Sequence, residues 1–293
     1  MHDSHIHLAL EPLKSNVEEI IQEFVSDNGK YILTQGTDII DFEDTLKIAK
    51  DHGKTIQVAL GLHPTFFEEQ TINRGVFKNL TEKTQKYLDK FENILSKNID
   101  KISAIGETGL DYYQNTFDKS IDQNLIEEIK EIQKISFKKH IQLAIQHKLP
   151  LSIHARDIAS SNECVKDTLK IVAEEGRGLL TGSFHSYTGD IAYINNILDL
   201  GFNIGFNAII TYKNGENVRD ILREVPLERI LFETDGPFLP PQSVRKNKKI
   251  TEKFAKPSHV REIITVAAEI KDVTPKYLED ITDENYKKTF FNL

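Results

Sequence analysis

The feature that most restricts this chain is a repeated change of hydrophobic period. Eight short apolar runs alternate with longer segments whose apolar residues recur at helical spacing. The runs read as strands over Asp3–His7, Tyr31–Gln35, Ile56–Gly61, Ile102–Glu107, Leu151–His154, Leu179–His185, Phe202–Phe206 and Arg229–Glu233. They are rich in Ile, Leu and Val, as strands covered on both faces are. Between them, Val17, Ile20, Ile21 and Phe24 share one helix face, as do Phe137, Ile141, Ala144 and Ile145. Such alternation predicts an α/β fold, a (β/α)8 TIM barrel forming a single domain over residues 1–293. A doubly wound open sheet is the alternative, but no G-x-G-x-x-G string or P-loop follows the first strand. Residues 66–100 and 115–134 are polar and rich in Lys and Glu, and read as helical insertions with solvated faces.

Composition removes several functional classes. Lys and Arg number 37 against 45 Asp and Glu, a formal charge of −8. Such a chain does not coat nucleic acid through bulk charge, so contact with it requires a local basic patch or a bound metal. The single cysteine, Cys164, excludes an intramolecular disulfide framework and a thiolate-rich zinc site. The opening residues lack a signal-peptide pattern, and no apolar run approaches about 18 residues. A cytoplasmic or nuclear protein without membrane contact is expected, acting as a monomer.

The chemistry begins at His5-Ile6-His7. Side chains alternate along a strand, so the two imidazoles face the same way, about 6.6 Å apart. A histidine pair alone is ambiguous. Glu107, His154, His185 and Asp235, however, sit at or near the ends of four further predicted strands. A parallel barrel brings all these ends to one face, where such enzymes carry their active sites. Six donors are too many for one tetrahedral zinc and suit two ions sharing a carboxylate.

Six strings extend the pattern: Asp3-Ser-His-Ile-His7, Gly61-Leu-His-Pro64, Ile105-Gly-Glu-Thr-Gly-Leu-Asp-Tyr112, Ile153-His-Ala-Arg156, Phe184-His-Ser-Tyr-Thr-Gly189 and Glu233-Thr-Asp-Gly-Pro-Phe-Leu-Pro240. In this order they resemble the TatD family of metal-dependent deoxyribonucleases, an amidohydrolase-like group, over almost the whole chain. The resemblance implies that His5, His7 and Asp235 bind a first ion and that Glu107 bridges. His154 and His185 would complete a second. It places His63 toward substrate phosphate or the attacking water, and Asp235 as acceptor or relay of that water's proton. Arg156 lies two residues beyond His154 and would either clamp phosphate or pair with a surface carboxylate. The chain departs from the family pattern in a longer segment between Gly109 and Pro150, an extended loop after His63, and Phe254-Ala-Lys-Pro-Ser258.

The expected function is a deoxyribonuclease that hydrolyses DNA phosphodiesters, on single strands or ends, with two divalent ions per chain. His and carboxylate donors accept Zn, Mn, Co or Mg, so the metal is not fixed. The alternatives are an amide, lactone or aminoacyl-ester hydrolase on the same barrel, and a metal-stabilised interaction module without turnover. A basic stretch after the Asp235 string, with Lys246, Lys248 and Lys249 at its centre, reads either as a phosphate track or as an ordinary solvated loop.

Overall fold

The computed structural model describes residues 1–67, 80–113, 123–158 and 160–291. Its strands are β1 (His2–Ile6), β2 (Tyr31–Gly36), β3 (Ile56–Leu60), β4 (Ala104–Asp111), β5 (Leu151–Arg156), β6 (Gly182–Phe184), β7 (Phe202–Phe206) and β8 (Ile230–Phe232). All neighbours run parallel in the order β1 to β8. The expected (β/α)8 barrel is therefore the fold.

The seam between β8 and β1 is made partly by side chains. Asp235 N donates to His5 O at 2.9 Å and His7 N to Gly236 O at 2.8 Å. Nearer the strand starts, Phe232 N donates to His2 Nε2 and Thr234 N to Asp3 Oδ1, at 3.1 and 3.0 Å. These side chains satisfy backbone donors that a regular ladder would otherwise pair.

The helices are α1 (Val17–Ser26), α2 (Phe42–Asp51), α3 (Leu80–Lys97), α4 (Gln123–His147), α5 (Glu163–Gly176), α6 (Ile194–Asp199), α7 (Glu216–Glu224), α8 (Gln242–Lys246), α9 (Val260–Lys271) and α10 (Pro275–Phe290). All of α3 and the first half of α4 fall in the two stretches that read as solvated insertions. The described residues show a different arrangement. Leu80, Thr84, Leu88, Phe91 and Leu95 of α3 form a buried stripe, and α4 buries Ile129, Ile132, Phe137 and Ile141 against the wall. Residues 68–79 and 114–122 of those stretches lie outside the described residues.

Helix α10 decides which end of the barrel is open. Its Tyr286 and Phe290 join Leu33, Ala59, Ala104 and Leu231 in a small cluster separate from the main core. Tyr286 Oη also donates to Gln57 Oε1 near the start of β3, at 2.6 Å. The N-terminal ends of the strands are thereby covered, leaving the C-terminal ends for a site. No helix among the described residues is long and apolar enough to cross a membrane.

Candidate metal centre

Two irregularities aim side chains into the mouth. The β1–β2 register shifts between Asp3 and Ile6, and the β4–β5 register shifts between Ile105 and Thr108. The first interval contains His5 and the second contains Glu107. Bulges of this kind turn a side chain off the regular alternation and recur beside active sites. Strand β4 continues to Asp111, so Glu107 stands mid-strand, not at its end as the sequence suggested.

Glu107 is the hub. Its Oε2 lies 3.3 Å from His5 Nε2 and 3.6 Å from His7 Nε2. Its Oε1 lies 2.6 Å from His185 Nε2, 2.8 Å from His154 Nδ1 and 3.3 Å from His63 Nε2. Asp235 Oδ1 joins the first group, 3.3 Å from His7 Nε2 and 3.9 Å from His5 Nε2. The rings of His5 and His185 stack at 3.8 Å. Donor atoms fall into three overlapping sets within 4.8 Å: His5, His7 and Asp235; His5, Glu107 and His185; His63, Glu107 and His154.

Charge and hydrogen bonding mark these donors as suited to a cation. His5 Nε2 is buried with no hydrogen-bond partner, close to two carboxylates. Among the described residues no Lys or Arg pairs with Glu107 or Asp235. Burial pushes His5 down to about 3, with His185 adding to the effect, so its imidazole is neutral and free to donate a lone pair. Burial also opposes ionisation of Glu107, but the neighbouring histidines, His185 and His63 foremost, outweigh it and hold the carboxyl well below its ordinary value. Burial would lower His154, yet bonds to Asp111 and Glu107 raise it to about 10. A cation at this cluster competes with that proton.

Supporting residues that carry no signal of their own in the motifs surround the donors. His154 Nε2 donates to Asp111 Oδ2 at 2.9 Å, which directs Nδ1 inward. Ser152 Oγ lies 3.1 Å from His5 Nδ1. Glu233 is buried beneath His185, its Oε1 3.8 Å from Nδ1, and accepts from Ser186 N and Ser4 Oγ. Any side chain at Gly205 would start 2.3 Å from the Glu233 carboxylate, so a larger residue there would displace that carboxylate. His140 on α4 accepts from Leu62 N at 2.9 Å and fixes the backbone beside His63. Asp111 and Glu233 do stand inside the six strings, and only that membership could have pointed to them. His140 has no such mark, being one of two histidines in a helix outside the six strings.

Other predicted residues sit around the rim. Arg156 is exposed and stacks on Tyr113, 3.9 Å from the ring centroid, instead of joining the cluster. Lys246, Lys248 and Lys249 are exposed at and beyond the end of α8, form no ion pair among the described residues, and are not part of the cluster. By contrast Lys256 pairs with Glu23, and Lys253 Nζ donates to Arg245 O at 2.8 Å.

A parallel barrel whose strand ends gather histidines and carboxylates around one buried glutamate defines a (β/α)8 barrel with a candidate metal centre at its mouth. Comparison with known proteins gives the family. The profile described as "TatD related DNase" matches residues 2–291, and the chain belongs to that family. An uncharacterized metal-dependent hydrolase of Buchnera aphidicola (subspecies Baizongia pistaciae) is 31% identical over 291 residues, covering 98% of this chain and 95% of that protein. YabD of Bacillus subtilis, with the same description, is 29% identical over 288 residues and 98% of each chain. The crystal structure of YjjV, a TatD homologue from Escherichia coli, superposes with a TM-score of 0.79 at 22% identity, over 100% of this chain and 98% of that one. The chain is a metal-dependent hydrolase.

Proposed function

We propose that this protein is a divalent-metal-dependent deoxyribonuclease that hydrolyses phosphodiester bonds of DNA single strands or ends. The observation that carries this reading is the division of the Glu107 carboxylate. One oxygen faces His5 and His7 and the other faces His63, His154 and His185, the arrangement a bridging ligand needs. His5, His7 and Asp235 would hold one ion, His154 and His185 a second, with Glu107 shared. Two divalent ions bound there would supply charge neutralisation and Lewis-acid activation of water for phosphodiester hydrolysis.

The chain's own groups have separable tasks. Burial opposes the charge on Asp235, but His7, His185 and His5 keep its carboxyl below the ordinary value, so it stays ionised and able to accept a proton. His63 shares Nδ1 with Thr65 Oγ1 at 2.7 Å, which turns Nε2 toward Glu107 from the open side. Arg156, over the Tyr113 ring, would present a guanidinium to a phosphate at the rim. The family description supports DNA as substrate.

The test is incubation of end-labelled single- and double-stranded DNA with purified protein, with chelator, and with Mg, Mn, Co or Zn restored. Metal-dependent shortening of single strands is expected. Stable DNA with every metal, alongside turnover of lactones, amides or aminoacyl esters, would replace this reading with the other hydrolase class.

A further inference from the structure

Eight large hydrophobic side chains are more than a third exposed among the described residues. Phe238, 53% exposed, is the one whose ring meets a member of the metal cluster. Its centroid lies 5.8 Å from that of His7, at 69°. One side of the phenyl ring is therefore used against His7, while about half of the residue's surface is open to solvent. A lone exposed phenylalanine is ordinary, but this one is fixed. Phe238 N donates to Asp235 O at 3.0 Å, and Ala255 N to Pro237 O at 3.0 Å. Tyr212 Oη donates to Pro240 O at 2.9 Å, and Leu239 takes a left-handed φ of 50°. A ring held this way loses little freedom when something packs on it.

The surroundings indicate what packs there. Basic groups follow in the chain: in α8, Arg245 lies 4.3 Å over the Tyr212 ring and Lys246 is exposed, as are Lys248 and Lys249 beyond the helix. A second cation, Arg156, stands at the end of β5, across the barrel from β1. An aromatic face beside a metal cluster, leading into a cationic path, fits a ligand that alternates phosphates with flat rings. We propose that Phe238 is the stacking platform for the nucleobase whose phosphate sits at the metal cluster, an assignment that rests on the deoxyribonuclease reading. Every base has a π face, so stacking favours nucleotides over other phosphodiesters without selecting a sequence.

Calorimetric titration of the Mn-loaded protein tests this. The ligands are thymidine 5′- and 3′-monophosphate and the matching base-free deoxyribose phosphates. The wild type should bind at least one nucleotide about ten-fold more tightly than its base-free counterpart. Phe238→Leu should abolish that preference and leave affinity for the base-free phosphate unchanged, while Phe238→Tyr should retain it. A Phe238→Leu protein that keeps the preference, or a DNA-cleaving wild type that lacks one, overturns the stacking assignment alone. A wild type that neither binds these phosphates nor cleaves DNA removes the deoxyribonuclease reading, and the assignment with it.

Discussion

Asp111 decides which nitrogen His154 presents. By accepting from Nε2 at 2.9 Å it leaves Nδ1 facing Glu107 and His185. Partners of this kind orient metal ligands, and their loss typically costs about 10- to 100-fold in metal affinity. Asp111→Ala should weaken metal binding by that amount in a competition titration against a chelating dye. Unchanged affinity would show that His154 needs no such orientation. The donors are legible in the sequence because strand ends can be located from apolar runs, and a parallel barrel collects them. Asp111, Glu233 and Ser152 are not, because a polar residue beside a ligand reads the same whether it contacts that ligand or solvent. The register shifts that aim His5 and Glu107 leave no mark in hydrophobic period.

At the scale of elements, α10 is anchored by a buried charge cluster at the strand starts. Asp283 lies 3.0 Å from His2 Nδ1, 2.8 Å from Lys30 Nζ and 3.2 Å from the terminal ammonium. His2 Nε2 accepts from Phe232 N, so the ring is neutral and donates through Nδ1. Burial alone would raise the Asp283 carboxyl, but these donors hold it below its ordinary value. A carboxyl depressed in the folded state stabilises above its unfolded pKa, about 3.9, and that contribution is lost as pH falls through the folded value. Asp283→Asn should cost about 3 kcal/mol at pH 7 in denaturant unfolding, and the difference from wild type should shrink below about pH 4. A gap that stays constant down to about pH 2 would remove Asp283 from the acid response. The wall helices are hard to read for a related reason. Twelve of the 18 residues of α3 are polar, so its buried stripe of Leu80, Leu88, Phe91 and Leu95 reads as solvated unless the spacing is followed residue by residue.

For the whole molecule the question is how a chain of net charge −8 approaches a polyanion. The cations free to help are local: Arg156 at one rim and Lys246, Lys248 and Lys249 at another. If these lysines follow the phosphate backbone, replacing all three with Ala should weaken single-strand binding. The log–log salt slope should flatten by about 0.7 for each phosphate no longer neutralised. Turnover of a small nitrophenyl phosphodiester should be spared. A slope that does not change makes the stretch a solvated loop. We propose that the barrel gathers its donors into two ion positions sharing one carboxylate. Metal content of purified variants tests it most directly. The wild type should carry two divalent ions per chain, His185→Ala should mainly weaken one of them, and Glu107→Ala should lose both. A Glu107→Ala protein that retains two ions per chain would show that Glu107 does not bridge them.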